Sequence, residues 1–328
     1  MKNRVLSTLI AGSIAVGALS VMPVSAQTLV YEDFEYQYIN DLQEIEITGY
    51  LGTDRYVDIP ETINGVTVTS IGESAFRENE YAGQVILPRT VTIIKKSAFY
   101  GSKLSSIVMK GVETLEAHAF SGCTSLDWIY VDDKLKNIHN CAFQGTRIRD
   151  IVIPSSVEFV EQRAFNNTTG THTVYIEDGL TEIGEEAFLS AQLLDWVYIP
   201  PSVEKIGDYA FGYFSFDHIR YNENLIIYGH EYTAGWAYAV ANNITFREMV
   251  MGDVDFNGAI DSLDASMMLS YYASEATNGD YDLTRVQTDC SDVNADGEIN
   301  ALDASEVLTY YAYTATGGTG SFTDYLGL

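Results

Sequence analysis

Hydrophobic positions along this chain recur in columns. Seven Ala-Phe pairs place rings at Phe76, Phe99, Phe120, Phe143, Phe165, Phe188 and Phe211, spaced 23, 21, 23, 22, 23 and 23 residues apart. Periods of about 20 to 30 residues mark a solenoid. Five residues before each ring stand Ile71, Ile94, Leu115, Ile138, Val160, Ile183 and Ile206. Eight before stand Val68, Val91, Val112, Leu135, Val157, Leu180 and Val203. Both columns are aliphatic throughout. Earlier in each unit an alternating pair appears: Val85-x-Leu87, Ile107-x-Met109, Ile129-x-Val131, Ile151-x-Ile153, Val174-x-Ile176, Val197-x-Ile199 and Ile219-x-Tyr221. Alternation of β-branched residues predicts a short strand with one buried face. Each unit then reads as strand, turn, short extended piece and Ala-Phe turn. One unit cannot cover its own apolar face, so the units stack on a shared core. The seven rings are expected to stack inside it.

The strand residues that alternate away from the core include Trp128, Tyr130, Tyr175, Trp196, Tyr198, His218 and Arg220. They sit at matching places in nearby units. The five aromatics among them are a candidate ligand-binding face; ordinary strand propensity is the competing explanation.

The repeat resembles the leucine-rich repeats of the BspA-like bacterial surface proteins. Segment 193–211, LLDWVYIPPSVEKIGDYAF, carries the resemblance. Segment 57–76 is similar to the usual first unit and 226–246 to the usual last. The resemblance implies a β-rich solenoid over residues 27–249, with a first cap at 27–66 and a last cap at 226–249. Segment 233–242 reads as a small amphipathic helix that lays Trp236, Ala237, Val240 and Ala241 over the last coil.

A different pattern begins at 252. GDVDFNGAIDSLDASMMLSYYA (252–273) returns as SDVNADGEINALDASEVLTYYA (291–312), 39 residues on. Each copy spaces oxygen donors as a calcium loop requires. The first offers Asp253, Asp255, Asn257, the Ala259 carbonyl, Asp261 and Asp264. The second offers Asp292, Asn294, Asp296, the Glu298 carbonyl, Asn300 and Asp303. Gly258 and Gly297 occupy the sixth loop position, where the chain turns sharply. Ile260 and Ile299 are placed to pair across the loops. The twelfth position is Asp, and no helix is expected ahead of either loop, which departs from an EF-hand.

Loop-then-helix in duplicate resembles a type I dockerin, a small all-α module with two calcium loop-helix motifs. The resemblance spans 252–316, within a module at 250–316, and leaves a tail at 317–328. It implies two bound Ca2+ ions and a cohesin module on a scaffold protein as partner, as in cellulosomes. Cohesin contacts map onto Ser262, Leu263, Leu269 and Ser270 in the first copy, and Ala301, Leu302, Leu308 and Thr309 in the second. These are more apolar than the family's common Ser-Thr and Lys-Arg pairs. Packing of Leu269 and Leu308 between the helices is the competing reading.

Composition narrows the rest. Of 328 residues, 46 are acidic and 18 basic, for a net charge of −28. Such a surface repels phosphate backbones and anionic lipid, which excludes a nucleic-acid binder. Lys2 and Arg4, the apolar run Val5–Met22 and the exit Val24-Ser25-Ala26 read as a signal peptide over 1–26, cleaved before Gln27. No later segment is long and apolar enough to span a membrane. The expectation is a secreted, extracellular protein, held at the cell surface through a scaffold.

Catalytic patterns are missing. The five histidines form no HExxH, and no GxSxG or P-loop occurs. Cys123 and Cys141 read as buried structural thiols, with a disulfide between neighbouring coils left open, and Cys290 as incidental. The family context implies a non-catalytic subunit associated with plant polysaccharide catabolism. An adhesin for host or neighbour-cell proteins and a polysaccharide-binding or glycoside-active protein remain as alternatives.

Overall fold

The structure, a computed structural model, describes residues 29–214, 222–277 and 279–327. The signal-peptide reading, His218, Arg220 and the strand expected at Ile219 and Tyr221 fall outside these residues.

The chain opens with an antiparallel meander, β1 (Leu29–Tyr31), β2 (Phe34–Ile39) and β3 (Glu44–Tyr50). β3 then pairs in parallel with Val66–Ile71, aligning Ile45 with Val68 and Ile47 with Ile71. That pairing converts a hairpin edge into the starting template of a parallel coil. From there a row of two-residue strands, from Ile93–Ile94 to Lys205–Ile206, continues the sheet to eleven strands. The opposite wall is two parallel sheets. One holds Tyr56–Asp58, Gln84–Leu87, Ser106–Met109 and Trp128–Val131. The other holds Asp150–Ile153, Thr173–Ile176, Trp196–Tyr198, Ile226–Gly229 and Thr245–Glu248. The place beside Trp196–Tyr198 is taken by Ile226–Gly229, with Tyr198 opposite Tyr228.

All seven phenylalanines are buried and stacked. Their centroids lie 4.8 to 5.1 Å apart, with ring planes within 16°. The Ala before each ring serves two ends. It leaves room for the next coil, and its carbonyl accepts the N–H of the Phe one coil earlier, as Ala142 does from Phe120 at 2.7 Å. Two residues before each Phe the backbone is left-handed: Ser74, Ser97, His118, Cys141, Arg163, Glu186 and Tyr209 have φ between 54° and 59°. None is glycine, and the strain of such a turn is held by the ladder, where His118 donates its N–H to Asn140 at 3.0 Å. His118 and Cys141 are thus turn residues of the coil.

Both ends of the stack are closed. Tyr50 of β3 stacks on Phe76 at 5.5 Å. At the other end α1 (Ala234–Ala241) crosses the last coil. Its buried residues are Gly235, Tyr238 and Ala239, while Ala237, Val240 and Ala241 are exposed, so the buried face lies about half a turn from the one expected from the sequence. The cause is polar. The Tyr238 hydroxyl accepts the Phe211 N–H at 2.9 Å and donates to the Phe211 carbonyl at 3.0 Å, standing in for the coil that does not follow.

The carboxyl-terminal module is all-α. α2 (Ser262–Thr277) and α4 (Ala301–Ala315) pack through Ala265, Met268, Ala304 and Val307, with Val254 and Val293 from the preceding loops. Ile260 and Ile299 are partly buried against the same core. A helix does precede the second loop: α3 (Arg285–Ser291) starts at a Thr284–Gln287 capping box. The tail is part of the module as well. α5 (Phe322–Leu326) returns Phe322 to the core, where it packs on Tyr310 at 4.9 Å.

Candidate metal centre

The two loops repeat the same set of backbone N–H bonds to side-chain oxygens. In the first, Asp253 accepts the N–H groups of Asn257 at 3.1 Å and Gly258 at 2.9 Å. In the second, Asp292 accepts those of Asp296 at 3.1 Å and Gly297 at 2.9 Å. Asp264 draws in Val254, Asp255 and Asp261 at 2.7, 3.2 and 2.8 Å. Asp303 does the same for Val293, Asn294 and Asn300 at 3.0, 3.4 and 2.9 Å. Asp261 and Asn300 accept the N–H groups of Leu263 and Leu302, each at 2.7 Å, at the start of the helix that follows. Gly258 and Gly297 both have φ of 87°, a conformation that side chains resist.

Asp253, Asp255 and Asp264 bring their carboxylate oxygens within 4.8 Å of one another. Asn294 supplies an amide oxygen where the first loop has Asp255. Asp253, Asp264 and Asp303 are buried, and no Lys or Arg pairs with any of them among the described residues. Buried carboxylates need an opposite charge or a metal. An all-oxygen set of this density suits a hard divalent cation, and calcium fits best. Burial, more than the neighbouring Asp264, pushes the Asp253 carboxyl up to about 6, and burial raises Asp264 too.

The pH consequence has a definite sign. A carboxyl raised above its unfolded value favours the folded, metal-free chain when protonated, so chelated protein gains stability as pH falls from about 6 toward 4. Calcium must displace that proton. First-loop affinity is expected to be about tenfold lower at pH 5 than at pH 7 from Asp253 alone. Calcium titrations at the two pH values check this, alongside melting in chelator.

The expected cohesin positions Ser262, Leu263, Leu269, Ser270, Ala301, Leu302, Leu308 and Thr309 are all exposed on α2 and α4. Leu269 and Leu308 take no part in the helix core, which is built by Met268 and Val307. Tyr272 and Tyr311 extend the same exposed apolar faces at i+3 from those leucines. The 39-residue offset that relates them was available in the sequence.

The aromatic face of the solenoid divides. Trp128 and Tyr130 are 51% and 41% exposed, whereas Tyr175 and Tyr198 are only 9% and 7% exposed. The latter two, with Tyr228, lie under α3. Trp196 is partly buried against the same cluster, edge-on to Tyr228 at 6.1 Å, so three of the five expected aromatics belong to a contact between modules. Tyr228 belongs to the strip and was missed because the sequence placed that strand at 219–221. All three cysteines are free; the Cys123 thiol donates to the Phe99 carbonyl at 2.9 Å, and burial pushes its pKa up to about 11.

The BspA type leucine rich repeat region matches this chain in six copies, over residues 56–172 and 161–234. The dockerin type I domain matches residues 251–310. Among curated proteins none matches. Of solved structures, a leucine-rich repeat protein of T. pallidum is 25% identical, with 55% of this chain and 82% of that one covered, at a TM-score of 0.39. One from Bacteroides ovatus is 18% identical, covering 61% and 70%, at a TM-score of 0.29. One from Bacteroides capillosus is 25% identical, covering 46% and 98%, at a TM-score of 0.32. With its repeats matched over more than half its length, and its paired loops matched behind them, the chain belongs to the BspA-type leucine-rich-repeat family and carries a dockerin type I domain.

Proposed function

We propose that this chain is an exported, non-catalytic subunit that a cohesin on a scaffold protein captures through two calcium-loaded loops, in the service of polysaccharide breakdown. The observation that carries this reading is the pair of loops, whose backbone N–H bonds to side-chain oxygens repeat from one to the other and whose buried Asp253, Asp264 and Asp303 have no Lys or Arg partner among the described residues. Calcium is the charge that would complete them: Asp253, Asp264, Asp292 and Asp303 would anchor the ions, and Asp255, Asn257, Asp261, Asn294, Asp296 and Asn300 with the Ala259 and Glu298 carbonyls would fill the shells. Leu263, Leu269, Leu302 and Leu308 then offer an apolar surface on the two packed helices α2 and α4. Retention of the full chain on immobilised cohesin modules in calcium, and its elution by chelator, tests the reading. Retention that survives chelator would overturn it.

The solenoid's part is to present its open coils. Trp128 and Tyr130, with Val108 opposite Tyr130 and Ile86 in the same register one strand further on, form an aromatic and aliphatic patch on the first parallel sheet. Such patches take a protein hot spot or a sugar ring. Affinity electrophoresis in gels of plant-wall polysaccharides, run with the Trp128→Ala Tyr130→Ala double variant, decides between them. Retardation lost in the variant marks a glycan ligand. No retardation in any gel leaves a protein ligand as the solenoid's partner.

A further inference from the structure

The two calcium loops differ at one telling place. Between ligands Asp255 and Asn257 stands Phe256, and at the matching place in the second loop stands Ala295. Both have φ of 57°, so the backbone is the same and only the side chain differs. The Phe256 ring leaves the dockerin and packs on Tyr228 of the solenoid, centroid to centroid 4.7 Å. Ala295 is exposed.

α3 completes the contact. Val286 and Cys290 are buried against Tyr175, Tyr198 and Tyr228. The Tyr175 hydroxyl donates to Asp289, the Arg285 guanidinium lies 4.6 Å over the Tyr175 ring, and Arg285 pairs with Glu177. α3 is in turn tied to the first loop: Gln287 donates to the Val254 carbonyl at 3.1 Å, and Gly252 donates its N–H to the Cys290 carbonyl at 2.9 Å.

We infer that the tyrosine face of the solenoid is the seat of the chain's own dockerin, and that docking and calcium loading of the first loop are thermodynamically linked through Phe256. The linkage rests on the calcium reading above. Phe256 reaches Tyr228 only when the backbone of 255–257 is wrapped as the loop requires. Calcium holds that wrapping, so it favours docking. By reciprocity the seat must raise the calcium affinity of the loop by the same factor.

The test is calcium titration calorimetry of the full chain, wild type against Tyr228→Ala, Phe256→Ala and the double variant. Phe256→Ala installs the residue the second loop already carries, so the loop keeps its fold. Tyr228 touches no ligand. The expected result is a loss of about 5- to 50-fold in affinity at one of two sites in each single variant, and no further loss in the double. Cys290 supplies a second readout. In saturating calcium its thiol should alkylate faster in Tyr228→Ala than in wild type, while Cys123 stays protected. Two unchanged affinities in both single variants would overturn the linkage while leaving the calcium reading standing. A loss in Tyr228→Ala alone would overturn Phe256 as the connection. No calcium bound by the wild type would remove the calcium reading itself, and the linkage with it.

Discussion

Replacing Asp253 and Asp292 together with alanine is expected to abolish calcium binding and cohesin capture, and to leave the solenoid folded. Each of these carboxylates would supply the first ligand of its proposed calcium site, and each accepts two backbone N–H groups. Alanine removes all three interactions at once. The core that remains is small, drawn from residues such as Val254, Ala265, Met268, Ala304 and Val307. A module of this size seldom holds together without a staple or a metal. The module should therefore lose its helical signal by circular dichroism, with or without calcium. The main core of the solenoid contains no loop residue, and Phe256 touches only its outer tyrosine face, so the solenoid's own unfolding transition should remain. Capture unchanged in the double variant would sink the dockerin function; a lost solenoid transition would show that the two modules fold as one unit.

Phe143→Ala is expected to destabilise the solenoid by about 3 to 5 kcal/mol, read as a lower denaturant midpoint. Phe143 is the middle ring of the seven. It lies 5.1 Å from both Phe120 and Phe165, with planes within 7°. The substitution opens a cavity that neither neighbour can fill, because each is already held by its own Ala-Phe hydrogen bond. It also removes two aromatic pairs, worth about 0.5 to 1.5 kcal/mol apiece beyond burial. Coupling between coils passes through nearest neighbours. A gap at the centre is thus expected to cost more than Phe76→Ala, where Tyr50 and the meander close one side. Equal losses at the two positions would contradict the stack as the axis of cooperativity.

The sequence announces what is periodic and conceals what is not. The Phe column, the two aliphatic columns and the loop ligands each repeat, so their burial or clustering could be read directly. The left-handed turn at Ser97, His118 and Cys141 could not, because its column mixes Ser, His, Cys, Arg, Glu and Tyr and holds none of the glycine that usually marks such a turn. The buried face of α1 is set by Tyr238, whose hydroxyl is what the last Phe N–H needs, and no periodicity in the sequence points to that bond. α3 escaped notice because seven residues with one buried Val and one buried Cys carry too little pattern to count as a helix. The seat under it was hidden for a deeper reason. A contact made once, between two modules with different periods, leaves no repeat in either. Only the mismatch of Phe256 with Ala295 hinted at it.

The last strand ends at Glu248 and the first proposed calcium ligand is Asp253. Between them lie four residues, and Met249 is itself buried in the seat and hydrogen-bonded to Gly229 at 2.7 Å. A long flexible spacer would let the solenoid swing as a tethered bead, sampling a wide volume around its attachment point. Here the joint behaves as a bracket. Once the dockerin is gripped, the coil axis acquires a set bearing, and Trp128 is held out on it at a constant heading. Several copies lined up on one support would aim their open faces in the same direction, as teeth on a comb rather than beads on strings.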